Sequence, residues 1–258
     1  MQQYTQLKLE VENHIAVVTL NNPPVNALSR TMNDEIIHVM DWISETPDVR
    51  VVVIASGMKV FCAGADLKGR AEVIKGPGDM SAHSRRTREC FHSIRECAKP
   101  VIVALNGHSL GAGLGIAASA DILVASENAT LALPEIDVGL MGGASHAMRL
   151  FGHTKLRRMV FTGCRVPASE LYRLGVVEAC VAPDELMPTA MALAHEIASK
   201  SPIASTMAKQ TLNAIENMSL RDGYRYEQDM TAAISKTEDA QEAKRAFLEK
   251  RAPVFVGR

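Results

Sequence analysis

The sequence predicts an α/β fold, with a mixed core in the first part of the chain and helices in the last part. Up to about residue 147, short apolar runs typical of buried strands alternate with segments whose apolar residues recur at helical spacing. From residue 148 onward the spacing is mainly helical, apart from one last strand expected over residues 176–181. We therefore predict an α/β core over residues 1–195 and a helical subdomain over residues 196–258.

The chain opens with a predicted hairpin. Residues 7–12 and 15–20 alternate apolar and polar side chains on either side of Asn13-His14. A polar loop, long enough to suggest a functional segment, is expected over residues 56–79. The other predicted elements are a helix over 32–43, a strand over 51–55, a helix ending near 97, a strand over 101–105, a helix over 114–120, and strands over 121–125 and 130–133.

Composition excludes several classes of protein. The 28 basic and 29 acidic side chains give a net charge of −1, which offers no field to recruit nucleic acid or an anionic membrane. No apolar stretch approaches the roughly 18 residues of a membrane span, and the polar N-terminus does not resemble a signal peptide. The five cysteines have no metal-ligand spacing, so we expect reduced thiols, no metal and a cytoplasmic protein.

A glycine-rich turn, Gly107 to Gly113, joins the strand over 101–105 to a helix of small residues. Glycines allow close approach to a ligand, and a helix start offers unpaired N–H groups, so the turn suits a developing negative oxygen. Close packing of helix on sheet explains the glycines equally well. A dinucleotide site is disfavoured, because Gly111-Ala112-Gly113-Leu114-Gly115 lacks the required spacing.

A second loop, Val60 to Lys68, follows the strand over 51–55 and is also rich in small residues. Two such loops could direct two backbone N–H groups at one carbonyl oxygen. Removing one donor from such an oxyanion hole costs roughly 3–4 kcal/mol in a known hydrolase. The pair of loops is therefore the strongest candidate for catalysis.

The chain resembles the crotonase superfamily (enoyl-CoA hydratase/isomerase) over essentially its whole length. Order and spacing of the matching pieces make the resemblance specific. The pieces are Pro24 to Leu28, Phe61 to Lys68, Lys99 to Gly107, Gly111 to Gly113, Ala120-Asp121, Leu133 to Ile136 with Gly139, Thr162-Gly163, Gly175 to Val177 and Phe247 to Gly257.

The resemblance implies a spiral of ββα units with a C-terminal helical region used in trimerisation, and thus a homotrimer or dimer of trimers. It implies coenzyme A thioester substrates and no separate cofactor. The oxyanion hole would consist of the N–H groups of Ala65 and Ala112. The substrate-binding residues expected on this basis are Val25, Ala27, Ala63, Asp66, Leu67, Lys68, Gly111, Gly139, Met141, His146, Phe247 and Lys250.

Glu135 matches the second of the two glutamates used by the family's hydratases. Its apolar surroundings predict a raised pKa and proton exchange near neutrality, although a structural ion pair is the alternative. The first hydratase glutamate is replaced by Gly115, which favours Δ3,Δ2 double-bond isomerisation over hydration or dehydration. The alternative to an enzyme is a non-catalytic acyl-CoA-binding protein that has lost the family's activity.

Four further side chains are weaker candidates. Asp137 would share a face with Glu135 in a strand but not in a helix. His146 could reach the acyl pocket or face solvent, His108 could simply pack inside the turn, and His83 is expected in a mobile segment beside the acyl pocket. Cys62 is expected to be a buried, inert thiol.

Overall fold

A computed structural model describes residues 3–258 and confirms the α/β class. The strands are β1 (Leu7–Glu12), β2 (Ile15–Leu20), β3 (Val51–Ser56), β4 (Val101–Leu105), β5 (His108–Leu110), β6 (Ile122–Ser126), β7 (Thr130–Ala132), β8 (Val166–Pro167) and β9 (Ala179–Val181). The α-helices are α1 (Arg30–Glu45), α2 (Leu67–Val73), α3 (Asp79–Glu96), α4 (Ala112–Ser119), α5 (Ala144–Ala147), α6 (His153–Thr162), α7 (Ala168–Arg173), α8 (Leu186–Ala198), α9 (Pro202–Ile215), α10 (Leu220–Ile234) and α11 (Glu238–Glu249). Two 3-10 helices span Pro134–Val138 and Pro183–Glu185.

The strands form two sheets. The larger has the order β1-β2-β3-β4-β6-β9, antiparallel between β1 and β2 and parallel elsewhere. The smaller has the order β5-β7-β8. The predicted hairpin is confirmed, with Asn13 and His14 at positive φ between the paired residues Glu12 and Ile15. The turn therefore fits the right-handed twist of its strands.

The central strands β3 and β4 of the larger sheet are buried on both faces, as strands of parallel sheets usually are. Alternate residues of β3 face opposite ways, so Val52 and Ile54 pack with α1 and α3 while Val51 and Val53 pack with α8. The alanines Ala190, Ala194 and Ala198 form the apolar stripe of α8 that covers this face of the sheet.

Several local predictions need correction. The loop expected over 56–79 contains α2, which has no buried residue and so gives no apolar periodicity. The glycine-rich turn contains β5, and the last strand is shortened to β9 because Gly175 to Glu178 form a turn. The two-residue strand β8 was not predicted.

The C-terminal helices are fastened to the core by buried polar groups. Lys209 of α9 forms an ion pair of 2.8 Å with Asp121, just before β6. Helix α8 runs through the predicted boundary between the core and the helical subdomain, at residues 195 and 196. The division into these two parts stays a prediction. Within residues 3–258, no helix is both long and apolar enough to cross a membrane.

Candidate active site

The two loops singled out in the sequence lie against each other. The segment after β3 pairs with the turn, since Cys62 N donates to His108 O at 3.1 Å and Leu110 N donates to Cys62 O at 2.9 Å. A Cβ added at Gly64 would lie 3.1 Å from Leu110 O and 4.0 Å from Ala112 N. Backbone contact between the loops is therefore direct.

The N–H of Ala65 is free. The preceding carbonyl, Gly64 O, accepts a hydrogen bond of 2.8 Å from Leu28 N. Because the C=O and N–H of one trans peptide point in opposite directions, the Ala65 N–H points away from Leu28. Within residues 3–258 it donates no backbone hydrogen bond, and Ala65 is exposed.

The N–H of Ala112 is also free, for a different reason. Ala112 is the first residue of α4, and the N–H groups of a first helical turn have no partner inside the helix. No backbone acceptor is found for it elsewhere in the described chain. Two free donors thus stand on touching loops, the second at the positive end of a helix dipole.

The carboxylate of Glu135 lies over the start of α4. Its Oε1 would be 2.6 Å from a Cβ added at Gly111, so any side chain there would displace the carboxylate. Gly111 also has φ +53, a conformation that favours glycine. Close approach of Glu135 to the turn therefore requires this glycine.

Glu135 forms no ion pair within residues 3–258, so the structural ion pair considered as its alternative role is not found there. Its Oε2 is buried without a hydrogen-bond partner in the same part of the chain. Burial raises the pKa of this carboxyl, and a backbone N–H opposes the rise only in part. Such a group can exchange protons closer to neutrality than a free glutamate.

Phe91 is the residue at this site that the sequence did not reveal. A Cβ added at Gly115 would lie 2.6 Å from Cζ and 2.8 Å from Cε2 of Phe91, so the ring fills the side-chain space of position 115. Phe91 lies on α3, where it is buried together with Cys90 and Ile94. The signal emerges only when α3 is placed on α4.

His146 of α5 packs edge-on against the Phe91 ring, with centroids 5.0 Å apart. Burial lowers the pKa of His146, and the nearby His92, Arg149 and Arg95 lower it further. The imidazole is therefore neutral at neutral pH. The structure brings His146 to the ring beside Gly115, while its contact with substrate stays a prediction.

The weaker candidate side chains have contacts or surroundings different from those of Glu135. Asp137 lies in the same 3-10 helix but turns to Gly163, where an added Cβ would be 2.9 Å from Oδ2. His108 contacts Thr130 Oγ1 at 2.9 Å, so it is engaged in packing. His83 lies within α3, and burial lowers its pKa. Cys62 is buried, which raises its thiol pKa to about 11.

The predicted coenzyme-binding residues fall into two groups. Val25 O accepts a hydrogen bond of 3.0 Å from Ala63 N, and the side chains of Ala63, Leu67 and Lys68 are exposed. The first group also includes Ala27, whose carbonyl accepts a hydrogen bond from Asn22, and Asp66, which caps α2 through Gly69 N. Its last two members are Gly139, which ends the 3-10 helix after Glu135, and the exposed Met141.

Phe247 and Lys250 form the second group, at the end of α11. Phe247 is exposed, and Lys250 ends the helix at positive φ. Within residues 3–258, no hydrogen bond or ion pair joins α11 to the loops at Ala65 and Ala112. Their role stays a prediction. The described residues also contain no group of three His, Cys, Asp or Glu side chains placed to hold a metal ion.

Comparison with known proteins agrees with this geometry. The enoyl-CoA hydratase/isomerase family profile matches residues 10–258. A 2,3-dehydroadipyl-CoA hydratase of Escherichia coli is 33% identical over 98% of this chain and 100% of its own. A hexahydro-indene-carboxyl-CoA hydrolase of Mycobacterium tuberculosis is 35% identical over 93% of this chain and 96% of its own. The crystal structure of an enoyl-CoA hydratase from Bacillus anthracis has a TM-score of 0.93 and 29% identity, covering 98% of this chain and 100% of that one. The chain belongs to the enoyl-CoA hydratase/isomerase family, and its fold is the crotonase fold.

Proposed function

We propose that the protein is an enzyme that stabilises the enolate of an enoyl-CoA thioester and moves a proton through Glu135. The free N–H groups of Ala65 and Ala112 would hold the thioester oxygen. The observation that carries the proposal is the Glu135 carboxylate. It lies against Gly111 with one buried oxygen unpaired, beside the free donor of Ala112.

The reaction we favour is Δ3,Δ2 isomerisation. The Glu135 carboxylate takes a proton from C2 of a 3-enoyl-CoA, and the electron pair of that C–H bond delocalises into the thioester oxygen. The resulting dienolate takes the proton back at C4, which leaves the double bond between C2 and C3. One carboxylate suffices, and no other reactant is consumed.

Hydration of a 2-enoyl-CoA is the second candidate. It is supported by the hydratase names of several relatives, such as the Escherichia coli protein. The hydrolase of Mycobacterium tuberculosis is equally similar, however, so identity alone does not select the reaction. Gly115 offers no acid or base to a water, which favours isomerisation.

The experiment is Glu135→Gln, assayed with a 3-enoyl-CoA and, separately, with crotonyl-CoA. We expect the wild type to isomerise the first faster than it hydrates the second. The variant should lose at least about a hundredfold in turnover, because a positioned acid/base group supplies roughly 10²–10⁴ in rate. Coenzyme A thioester binding, measured by calorimetry, should persist, because Gln keeps the shape.

Unchanged turnover in the variant would remove Glu135 from the mechanism. Rapid hydration of crotonyl-CoA by the wild type would select the hydratase reaction instead. Tight thioester binding with no turnover of either substrate would favour the non-catalytic acyl-CoA-binding protein.

We also propose a homotrimer or dimer of trimers. Exposed apolar side chains on the C-terminal helices support it, namely Leu212, Leu220, Phe247 and Leu248. Molar mass from light scattering tests this proposal. The cytoplasmic location stays a prediction.

A further inference from the structure

We infer that Phe91 is a specificity-determining residue, whose ring takes the place of a side chain at position 115 and forms an apolar wall of the acyl pocket opposite Glu135. The inference rests on the proposed function, because it assumes that the thioester lies at the start of α4. It adds a residue on a different helix, α3, to the site.

The position of the ring follows from the first turn of α4. Gly115 N donates a hydrogen bond of 3.1 Å to Gly111 O, so these glycines are four residues apart, just over one helical turn or about 6 Å along the axis. The Glu135 carboxylate covers the first glycine and the Phe91 ring covers the second. The free N–H of Ala112 lies within the same turn. A thioester bound there has a carboxylate towards one end and a ring towards the other.

Packing holds the ring in place. Phe91 is 7% exposed, and its neighbours on α3, Cys90 and Ile94, are fully buried in the same core. The edge of His146 stands against the ring at an interplanar angle of 70°, a geometry that aromatic pairs favour. The ring is therefore held by the core on α3 and by His146 in the space that a side chain at 115 would need.

Two consequences follow for the chemistry. A water near C3 of the substrate meets an aromatic ring rather than a second carboxylate, so it is not activated from that side. A glutamate placed at 115 alone does not fit, because its Cβ would overlap ring atoms of Phe91. Residues 91 and 115 thus act as a pair, and only exchange of both makes room for a second carboxylate.

The first experiment compares Gly115→Glu, Phe91→Ala and the double variant in crotonyl-CoA hydration. Hydration joins the oxygen of water to C3 and one of its protons to C2, so it gains from a second acid/base group. We expect the double variant to exceed wild type by at least about tenfold, part of the roughly 10²–10⁴ such a group supplies. Gly115→Glu alone should show no gain. Gly152→Glu is the matched control, because a Cβ at Gly152 meets open space and the residue is exposed.

The second experiment needs no turnover and decides the matter if Gly115→Glu fails to fold. Phe91→Ala removes the ring and should leave an apolar hole that a phenyl group can fill. The probes are 3-phenylpropanoyl-CoA and butyryl-CoA, which carry no double bond. We expect the variant to shift the ratio of their dissociation constants towards the phenyl ligand by about tenfold or more relative to wild type.

Two results would overturn the inference. One is a folded Gly115→Glu variant that hydrates crotonyl-CoA as well as the double variant does. The other is a ligand ratio left unchanged by Phe91→Ala. Both are separate from failure of the proposed function, which would appear as full isomerase turnover in Glu135→Gln.

Discussion

The surroundings of the start of α4 differ from the C-terminal helices in how completely their buried polar groups are hydrogen-bonded. Among the described residues, Glu135 is the only carboxylate with a buried oxygen lacking a partner. The other unpaired buried side-chain atoms belong to Asn33, Arg95, Asn106 and Ser109, and of these Arg95 pairs with Glu216 through Nη2.

In the C-terminal region the buried charges are fully engaged. Asp239 is 1% exposed and accepts hydrogen bonds from Ser201 Oγ at 2.6 Å, Val256 N at 2.7 Å and Gly257 N at 3.1 Å. Lys209 is 5% exposed and contacts Asp121 as well as two backbone carbonyls. These groups fasten the tail and α9.

This difference in pairing has opposite consequences for stability and for ligand binding. A buried polar group without a partner costs about 1–3 kcal/mol of stability, and Glu135 Oε2 is such a group among the described residues. The paired charges at Asp239 and Lys209 stabilise the structure. The unpaired groups at Ala65, Ala112 and Glu135 are available to a ligand.

Removing a free backbone donor at the start of α4 should lower activity strongly. Ala112→Pro deletes the N–H at the first position of α4, where a helix tolerates proline, and places its ring carbon at the donor position. We expect kcat/KM for a 3-enoyl-CoA to fall by roughly 10²–10³ or more, while the melting temperature changes little. Steady-state kinetics and thermal unfolding measure both.

Ala112→Gly is the matched control, since it keeps the N–H and should retain most of the activity. A proline variant that is folded and fully active would show that the Ala112 N–H does not bind the thioester oxygen.

The second prediction concerns the paired region. Lys209→Met leaves the partner carboxylate of Asp121 without its cation and two carbonyls without a donor. We expect a loss of about 3 kcal/mol in the free energy of unfolding, the low end for a broken buried pair, because Asp121 is 25% exposed. Urea denaturation measures it, and turnover of the folded variant should change little.

Lys200→Met provides the comparison for that loss. Lys200 is 61% exposed and lies 4.0 Å from Glu196, so its removal should cost under about 0.5 kcal/mol. Equal losses at the two lysines would contradict the structural role given to Lys209.

Most of the larger sheet could be predicted from local sequence, whereas the candidate site residues were predicted from the resemblance to a family. The β-branched run at β3 and the alternation around Asn13-His14 specify strands by periods that survive in the fold. Glu135 and the donors Ala65 and Ala112 are what the resemblance to the crotonase superfamily implies, residue by residue. Their proximity in the structure agrees with that prediction, although their roles remain to be tested.

The parts that sequence did not predict depend on contacts between distant segments. Phe91 and Gly115 are 24 positions apart, and nothing local indicates that a ring on α3 fills the side-chain space of a glycine on α4. The same holds for α2, which has no buried face, and for Asp137, whose direction depends on the 3-10 geometry around it. Contacts of this kind, between residues distant in sequence, are seen only in the three-dimensional structure.

Glu135 and Glu242 should change the pH dependence of stability in opposite directions, by a smaller amount than the effects above. Burial raises the folded-state pKa of Glu135 above 4.5, so its contribution to stability is present below pH 4.5 and is lost as pH rises through the folded pKa. Hydrogen bonds from Arg251 and then Val254 N lower the pKa of Glu242 to about 2, so its contribution is present above pH 4.5 and lost as pH falls towards 2. Urea denaturation across pH 3–7 should therefore show slopes changed in opposite directions by Glu135→Gln and Glu242→Gln. If Glu135 is the base, kcat/KM must also fall with decreasing pH, with its midpoint above 4.5, and a midpoint below that value would mean that another group carries the proton.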